Sequence, residues 1–500
     1  MQRLIFGLVG LVAMASAAPA LDLVPVADYQ TGIPYKAATG AFAWSAASQN
    51  FYLIDKVTNS VELLRYDEGA LVGAGSWSAE KLGGSPAAIA AFGPYVAVAL
   101  DKGIEPGVLL LLDPAGTRYG FARLGANPSA IAFSPDGTLL AVANEGRPSP
   151  DYATDPEGSI TLVSLPVLRT TQVAFGAVER DTLDRSIHFA SPAGTTLPED
   201  FEPEQLAFSP DGSTLYVTLQ ENNALAILDI ASGALSVAGL GYEDFSAVPV
   251  DVSELDGRIR LTNWPVLSML QPAGIATYAW RGRTLLVTAN EGAPRDYPGY
   301  SELTRVRSLN LDPVLYPNHR WLQYDHRLGR LLTTTARGDA DGDGDVDTIF
   351  GFGGRNFSIL GADGVRIYDP GSRIERHIAA ARPDIFNSFG EALGDDLRSD
   401  DMGIEPRGLA LASILGRTYL FLGLKRTGGV AAFDITSPVG VRWLGYFNDN
   451  DGSGAIAIGT SSPAGPTDLA FIPAGDSPIG DDMLAVAYGA SGSFVLYRID

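Results

Sequence analysis

The stretch Pro203 to Gly233, PEQLAFSPDGSTLYVTLQENNALAILDIASG, contains three short apolar runs separated by turns. The turn SPDG (209–212) separates the first two runs, because proline presets φ for a turn and glycine tolerates positive φ. The segment QENN (220–223) gives the next reversal. The third run (224–230) is apolar at nearly every position, which predicts a strand covered on both faces of its sheet. The stretch therefore predicts an antiparallel meander that must stack against others like it.

The opening of this stretch recurs along the chain as a proline, two variable residues, Ile or Leu, and Ala. The copies are PAAIA at Pro86, PSAIA at Pro128, PEQLA at Pro203, PAGIA at Pro272, PRGLA at Pro406 and PTDLA at Pro466, with a copy lacking the proline at Thr39. The shorter spacings match the roughly 40–50 residues of a four-stranded propeller blade. The sequence therefore predicts an all-β fold, a β-propeller.

The long gap between Pro272 and Pro406 decides the number of blades. Four further strands are predicted in it, over Arg330 to Ala336, Thr348 to Phe352, Phe357 to Leu360 and Val365 to Tyr368. They give eight four-stranded blades, with seven blades and an insertion as the alternative. The last repeat has only three apolar runs, so we expect the N-terminal run Leu21 to Tyr29 to supply its fourth strand and close the ring.

The N-terminus has the pattern of an export signal. Arg3 precedes an apolar run from Leu4 to Ala15, which is followed by small residues. This run is too short to span a bilayer, so residues 1–20 are predicted to be a cleaved signal peptide. Residues 21–500 are then expected to form one monomeric propeller domain with long inter-strand loops and no transmembrane segment. The predicted location is periplasmic, cell-surface or extracellular.

The composition excludes some classes of partner. The chain has a formal net charge of −23 and no cysteine, so its stability must come from its core rather than from disulfides. Nucleic acid is an unexpected partner because its phosphates require clustered Lys and Arg. An unknown extracellular ligand or surface component is expected instead. An acidic surface suits divalent cations, although solubility alone explains it equally well.

A run of alternating aspartates is the sharpest local signal. Its members, set around Gly344, are Asp339, Asp341, Asp343, Asp345 and Asp347. This D-x-D-x-D-G-x-x-D spacing can direct several carboxylates at one hard cation with 6–8 oxygen ligands, which predicts calcium. It is not an EF-hand, because Phe350 stands at the twelfth position. We expect a structural rather than a catalytic ion, and a solvated acidic loop is the alternative.

A second signal comes from aligning the repeats. The segments Asn144-Glu145-Gly146, Gln220-Glu221-Asn222 and Asn290-Glu291-Gly292 each follow the second run of their repeat. In a blade, the end of the second strand and the start of the first lie on one face of the ring. The predicted ligand-binding rim consists of Asn144, Glu145, Glu204, Glu221, Asn290, Glu291, Arg295, Asp401, Glu405 and Arg407. Duplicated turn chemistry is the alternative explanation.

Two further observations concern this rim. The loops that follow two of the segments are extended and both contain an Asp-Tyr pair, Asp151-Tyr152 and Asp296-Tyr297, which a merely duplicated turn would not need. A third cluster, from Asp395 to Arg407, leads acidic residues into the same rim. If the rim is catalytic, Glu145, Glu291, Glu405 and Arg295 are the candidates.

Standard catalytic patterns are missing from the sequence. The chain has no cysteine nucleophile and no G-x-S-x-G elbow, and its four histidines lack the spacing of metal ligands. We therefore favour a non-catalytic protein, while leaving open whether it is an enzyme.

Several long motifs resemble the choice-of-anchor I family, which is related to mesenchyme-specific cell-surface glycoproteins. They include NEGAPRDYPGYSELTRV, DGDGDVDTIFGFGGRNFSI, RSDDMGIEPRGLA and YLFLGLKRTGGVAAFDIT. The resemblance implies a secreted or surface-attached β-propeller of the WD40/YVTN-like kind. The chain departs from the family pattern at Arg407, at Pro466-Thr467-Asp468 and at Tyr488-Gly489-Ala490, and each departure removes a carboxylate from the rim.

Two functional hypotheses follow. The first is an exported, calcium-binding propeller that acts as an extracellular binding or scaffold protein associated with a surface or matrix. The alternative is a metal-dependent hydrolase of phosphoesters or lactones, a calcium-dependent phosphoesterase or lactonase, with a carboxylate and arginine site at the propeller mouth. Metal-activated water needs no serine or histidine nucleophile, so the missing patterns do not exclude the alternative.

Overall fold

The computed structural model describes residues 21–31, 39–388, 396–449 and 463–500. The expected signal peptide lies outside these ranges, as does Asp395 of the predicted third cluster. The N-terminal strand β1 spans Leu23–Gln30. The first three blades are β2 (Thr39–Ser45), β3 (Asn50–Asp55), β4 (Ser60–Asp67) and β5 (Ala70–Ser78); β6 (Ser85–Phe92), β7 (Tyr95–Lys102), β8 (Glu105–Leu112) and β9 (Arg118–Ala126); and β10 (Pro128–Phe133), β11 (Leu139–Asn144), β12 (Ser159–Ser164) and β13 (Arg169–Ala174).

The middle of the chain contains two blades and an inserted sheet. In chain order its strands are β14 (Pro203–Phe208), β15 (Thr214–Leu219), β16 (Ala224–Asp229), β17 (Leu235–Gly239), β18 (Tyr242–Asp244), β19 (Val266–Met269), β20 (Ile275–Trp280), β21 (Arg283–Asn290), β22 (Asp296–Tyr297), β23 (Tyr300–Ser301), β24 (Leu303–Arg305), β25 (Leu332–Thr334), β26 (Ile349–Phe352), β27 (Asn356–Gly361) and β28 (Arg366–Tyr368). Strands β14 to β17 form the fourth blade, and β20, β21, β27 and β28 form the fifth.

The last two blades follow. Their strands are β29 (Pro406–Ile414), β30 (Arg417–Leu424), β31 (Val430–Asp434) and β32 (Arg442–Phe447), then β33 (Pro466–Ile472), β34 (Met483–Tyr488) and β35 (Ser493–Ile499). Strand β1 pairs antiparallel with β35 and completes the last blade. The predicted closure of the ring by the N-terminal strand is therefore confirmed.

The described residues match the seven-blade alternative rather than eight blades. Strands β27 and β28, predicted for an eighth blade, are the outer half of the fifth. Strands β25 and β26 instead join β18, β19 and β24 in a separate five-stranded sheet, in which β19 and β26 run parallel. The insertion leaves the fifth blade after β21 and returns before β27. Its two ends meet so closely that a Cβ on Gly292 would lie 2.8 Å from the backbone nitrogen of Gly353, so the β21–β27 pairing continues across it.

Hydrophobic clusters lie between the blades and hold the ring together. Each inner strand contacts the inner strand of the next blade, in the order β2, β6, β10, β14, β20, β29, β33 and back to β2. Seven clusters of buried apolar side chains each span two neighbouring blades among the described residues, and an eighth fills the inserted sheet. The last and first blades share Phe42, Phe51 and Phe494, for example. This explains why the third strands are apolar on both faces, as the sequence predicted.

The repeated opening sequence encodes a distortion of the inner strand. Register shifts follow Pro86, Pro128, Pro203, Pro406 and Pro466 where each inner strand pairs with the second strand of its blade. Proline lacks an N–H and is tolerated at such bulges, which re-aim the side chains beside them. The variable residues after the proline, including Arg407, thereby reach the channel.

Helices are short and lie between the strands. The α-helices are Ala79–Leu82, Leu197–Asp200, His319–Leu322 and Arg373–Ala381, and the 3-10 helices are Phe175–Ala177, Arg180–Thr182, Val306–Ser308 and Pro383–Ile385. Within the part of the chain that the structure describes, none of these helices is long and apolar enough to cross a membrane.

Candidate functional site

The central channel opens at a mouth built from the starts of the inner strands and the ends of the second strands. Its volume is about 770 Å³, and residues of all seven inner strands line it. Four cationic side chains, Lys56, Arg407, Lys425 and Arg426, are among the lining residues. This is the face on which the aligned repeats were predicted to converge.

Glu291 is the centre of one charged network at this mouth. It is 2% exposed, and its two carboxylate oxygens bind Arg407 Nη1 at 2.7 Å and Lys425 Nζ at 2.5 Å. Gln220 Nε2 also donates to it, at 3.3 Å. Burial alone would raise the pKa of Glu291, but the two cations outweigh it and lower the pKa to about 2. Glu291 is therefore a permanent carboxylate in a fixed position.

Glu405 and Asp401 form an adjoining network. Arg398 bridges them, with Nη2 2.6 Å from Glu405 Oε1 and Nη1 2.8 Å from Asp401 Oδ2. Arg426 pairs with the other Glu405 oxygen at 3.0 Å. Asp401 also pairs with Arg305 of the inserted sheet at 3.2 Å. These two predicted rim residues thus anchor the segment before the sixth blade to its neighbours.

The part of the mouth formed by the third and fourth blades is crowded with carboxyl groups. Burial raises the pKa of Glu145, Glu204 and Glu221, and neighbouring carboxylates add to the rise, chiefly Glu204 for Glu145, Glu291 for Glu204 and Glu202 for Glu221. Glu145 has a direct ion-pair partner, Arg147, at 3.2 Å. One oxygen of Glu221 is buried without a hydrogen bond to any described residue. Among the described residues, this side of the mouth therefore has more carboxyl groups than cations to pair with them.

Arg295 lies beneath this acidic side rather than in the channel. It is 1% exposed, forms an ion pair with Glu202 and donates to Asp200 Oδ1 at 3.0 Å. The acidic neighbours raise the pKa of the guanidinium despite its burial. As a fully enclosed group, Arg295 supports the wall of the mouth.

The two predicted asparagines are used inside their own blades. Asn144 Nδ2 donates to Thr161 Oγ1 at 2.9 Å, and Asn290 Nδ2 donates to Ser358 Oγ at 2.9 Å. Both amides tie the end of the second strand to the third strand. At these two positions the repeated asparagine therefore stabilises its own blade, as the alternative explanation predicted.

The matching loop extensions meet each other beside the mouth. The ring of Tyr152 lies 5.3 Å from that of Tyr297 and 5.5 Å from that of Tyr300. The Gly299 N–H donates to the Pro150 carbonyl at 2.8 Å. The extensions of the third and fifth blades thus form one aromatic contact over the intervening fourth blade.

The aspartate loop lies in the insertion and has two groups of converging carboxylates. One comprises Asp339, Asp341 and Asp347, and the other Asp312, Asp345 and Asp347, with ligand oxygens within 4.8 Å of one another in each group. Asp343 belongs to neither group and accepts from the Asp345 N–H at 3.0 Å. Burial and the neighbouring Asp343 raise the pKa of Asp345 to about 6. Closely spaced carboxylates of this kind are the donors that calcium prefers.

Three participants were not found from the sequence. Lys56 follows the second strand of the first blade, the position equivalent to Glu145 in the third. The repeat of the first blade, which starts at Thr39, lacks the proline, and Lys56 was not aligned with the others. Glu202 lies just before a repeat-opening proline, within reach of Arg295. Asp312 reaches the aspartate loop through the parallel bridge between Leu311 and Val346, which no local pattern indicates.

A ring of sheets closed by an N-terminal strand, with charged side chains converging at one mouth, defines a β-propeller. The sequence model of the choice-of-anchor I domain matches residues 41–438. The chain belongs to the choice-of-anchor I family, and the resemblance drawn from its motifs is confirmed.

Two relatives extend this comparison. Gigasin-3a of Magallana gigas is 30% identical over 194 residues, which are 36% of this chain and 66% of that protein. A mesenchyme-specific cell surface glycoprotein of Strongylocentrotus purpuratus is 26% identical over 236 residues, which are 40% of this chain and 30% of that protein. The matches thus span just under two thirds of the first relative and less than a third of the second.

Similarity to solved structures is weaker. The β-propeller domain of Myceliophteria thermophila Cps50 (Swd1) is 9% identical, with a TM-score of 0.44 over 96% of this chain and 100% of that one. A likeness at this level has no bearing on function.

Proposed function

We propose that this protein is an extracellular or surface-associated β-propeller that binds a ligand at its channel mouth and acts as a scaffold. The observation that carries the proposal is the convergence of charged side chains from several blades on one open channel. Ion pairs such as Glu291 with Arg407 fix these groups in advance, and preorganised polar groups in a concave site are the usual basis of specific binding.

The proposed location rests on family and relatives. The protein belongs to the choice-of-anchor I family, and one relative is named as a cell surface glycoprotein. In this proposal residues 1–20 direct export, and the propeller functions as a monomer outside the cell.

We further propose that the aspartate loop binds calcium and stabilises the insertion. Without a cation, the carboxylates of Asp339, Asp341 and Asp347 repel one another, and a bound ion would convert that repulsion into attraction. The loop is bridged to residues 310–312, so the ion would also hold that segment.

The calcium proposal is tested by melting the mature protein with and without a chelator. Chelation should lower the melting temperature, and Asp341→Ala combined with Asp343→Ala should abolish this sensitivity. Asp476→Ala, which removes an exposed aspartate of the last blade, is the matched control and should keep the sensitivity of the wild type. An unchanged melting temperature with the chelator would rule out the structural calcium ion.

The scaffold role is tested by ligand capture. Immobilised wild-type protein should retain a soluble fraction of extracellular or cell-wall extract that a mouth variant, Glu204→Gln with Lys56→Gln, does not retain. The retained component, once purified, should then bind the wild-type protein. Equal retention by both proteins would contradict binding at the mouth.

The excess of carboxylates at the mouth favours a second candidate function, a metal-dependent hydrolase. Glu204 raises the pKa of Glu145, and Arg147 acts on both carboxyl groups. Such a combination can hold a divalent cation and offset developing negative charge. Calcium-dependent turnover of a phosphomonoester or lactone that is lost in Glu145→Gln, with the fold retained, would establish this activity. Absence of turnover across a broad panel with calcium would leave the binding role.

A further inference from the structure

Lys56 lines the central channel and has no ion-pair partner among the described residues. It follows β3 in the turn capped by Asp55, whose Oδ1 accepts from the Val57 N–H at 2.8 Å. Its aliphatic stem crosses the inner strand at Gly40, where an added Cβ would lie 3.0 Å from Lys56 Cε. Among the described residues, no acceptor forms a hydrogen bond or ion pair with its ammonium group. The chain thus directs a lysine into the channel, where the described part of the fold gives its ammonium group no partner.

The neighbours of Lys56 are mainly positive. Burial lowers its pKa, and Arg407, Arg147 and Lys425 lower it further, while Glu145 opposes them. Holding cations this close costs free energy in the unliganded protein. A bound anion would relieve that cost.

Arg407 and Lys425 can contribute to the same anion. Each is held by Glu291, through Arg407 Nη1 and Lys425 Nζ, which fixes their positions. The remaining guanidinium nitrogens of Arg407 donate to no residue in the described ranges. Glu405 also lies 3.8 Å from Lys425 Nζ, but it is shared with Arg398 and Arg426. Three cations therefore border this part of the channel, and Lys56 is the one without an ion-pair partner among the described residues.

We propose that Lys56, Arg407 and Lys425 form an anion-binding subsite, which receives the phosphate or carboxylate group of a small extracellular ligand. Phosphate and carboxylate share the oxygen acceptors that a guanidinium fork and an ammonium group recognise. The channel volume of about 770 Å³ lies within the usual range for small-molecule sites. The inference rests on the proposed binding role of the mouth and specifies the chemistry of its ligand.

The experiment compares three probes of similar size by isothermal titration calorimetry of the mature protein. Phenyl phosphate and benzoate differ in their anionic group, and benzamide is the neutral control. One or both anions should bind, and benzamide should not. Which anion binds distinguishes a phosphate ligand from a carboxylate ligand. Absence of binding by both anions, or equal binding of benzamide, would overturn the subsite.

Variants assign the binding to the subsite. Lys56→Met should weaken binding of the anion about tenfold, equivalent to about 1.4 kcal/mol, and Lys56→Arg should retain most of the affinity. Because Lys56 has no partner in the described residues, Lys56→Met should melt no lower than the wild type. Gly40→Val, which crowds the lysine stem, should also weaken binding.

Lys81→Met, at an exposed lysine of the first helix, is the matched control and should bind as the wild type does. Equal affinity of Lys56→Met and wild type would overturn the subsite, even if the anion binds elsewhere. Retention of an extracellular component by Lys56→Met would then show that the mouth still binds a ligand. The two proposals can therefore fail separately.

Discussion

Glu291 and Glu221 occupy equivalent positions in neighbouring blades but have opposite electrostatic surroundings. Each follows the second strand of its blade, after Asn290 and Gln220 respectively. Glu291 binds two cations of the sixth blade, which lower its pKa to about 2. Glu221 has one buried oxygen without a described hydrogen-bond partner, and its pKa is raised by burial and by Glu202. Repetition sets where a carboxyl group is placed, while the charges around it decide whether its pKa is lowered or raised.

Removal of Glu291 should have the largest effect. Glu291→Ala leaves Arg407 and Lys425 facing each other without their shared anion, and loss of one partner from a buried ion pair costs about 3–5 kcal/mol. Urea denaturation should show a decrease of that order in the free energy of unfolding. Glu179→Ala, at an exposed glutamate, is the control and should have little effect. A similar small effect for both variants would show that Glu291 is not the centre of the network.

The pH dependence of stability sharpens the comparison. The folded pKa of Glu291, about 2, lies below its ordinary value of 4.5, so its ionisation stabilises the protein above pH 4.5. That contribution, about 3 kcal/mol at most, is lost as the pH falls toward 2. Denaturation of the wild type and Glu291→Gln from pH 2 to 7 should show the difference between them shrinking at low pH. A difference independent of pH would contradict the assigned ion pairs.

Replacement of Glu221 should act in the opposite direction. Because its folded pKa is raised, the carboxyl destabilises the protein increasingly as the pH rises above its ordinary value of 4.5. Glu221→Gln should therefore stabilise the cation-free protein at pH 7 by about 1–2 kcal/mol, the scale of a buried unsatisfied polar group. At pH 4 the variant and the wild type should melt alike. Destabilisation at pH 7 would mean that the carboxylate has a favourable partner.

The smallest effect on stability is expected from Gln220, which lies between the surroundings of Glu221 and Glu291. Gln220 precedes Glu221 and donates to Glu291 at 3.3 Å. Gln220→Met keeps the volume but removes this hydrogen bond and the longer one to the Gly292 carbonyl at 3.5 Å, which should cost about 0.5–1.5 kcal/mol. The same substitution in a Glu291→Gln background should cost less, because a neutral amide is a weaker acceptor. Equal costs in both backgrounds would show that the hydrogen bond from Gln220 to Glu291 does not contribute to stability.

Much of the fold could be predicted because it is repeated. The opening motif P-x-x-[IL]-A marks the inner strands, and the three runs of the last repeat indicated that β1 completes it. The number of blades was harder to predict, since strands 332–334 and 349–352 have the pattern of blade strands but pair with each other, with residues 303–305 and with residues 266–269. Pairing between distant segments leaves no periodic signal. The sequence therefore predicted the number of strands in this region better than their partners.

The positions of the charged residues along the repeats were easier to predict than their partners. Alignment of the repeats predicted Glu145, Glu221 and Glu291 on one face of the ring, and in the structure each of them interacts with Glu204. The alignment could not distinguish the roles of these glutamates from those of Asn144 and Asn290. Each of these two turns contains an asparagine that forms hydrogen bonds within its blade and a glutamate that faces the mouth. Lys56 was missed because a lysine after an apolar run has no distinctive pattern. Only the surrounding cations of other blades make it notable.

The pairing of β1 with β35 has a consequence for biogenesis. Leu23 lies opposite Ile499, so the seventh blade joins the first strand of the described chain to the last. During synthesis β1 remains an unpaired edge strand until β35 has been made. Unpaired edge strands can associate with other chains. Export of the unfolded chain, as proposed above, would meet this condition, because both segments would be present before folding begins. Under that proposal, ring closure favours completion of translocation before the native state forms.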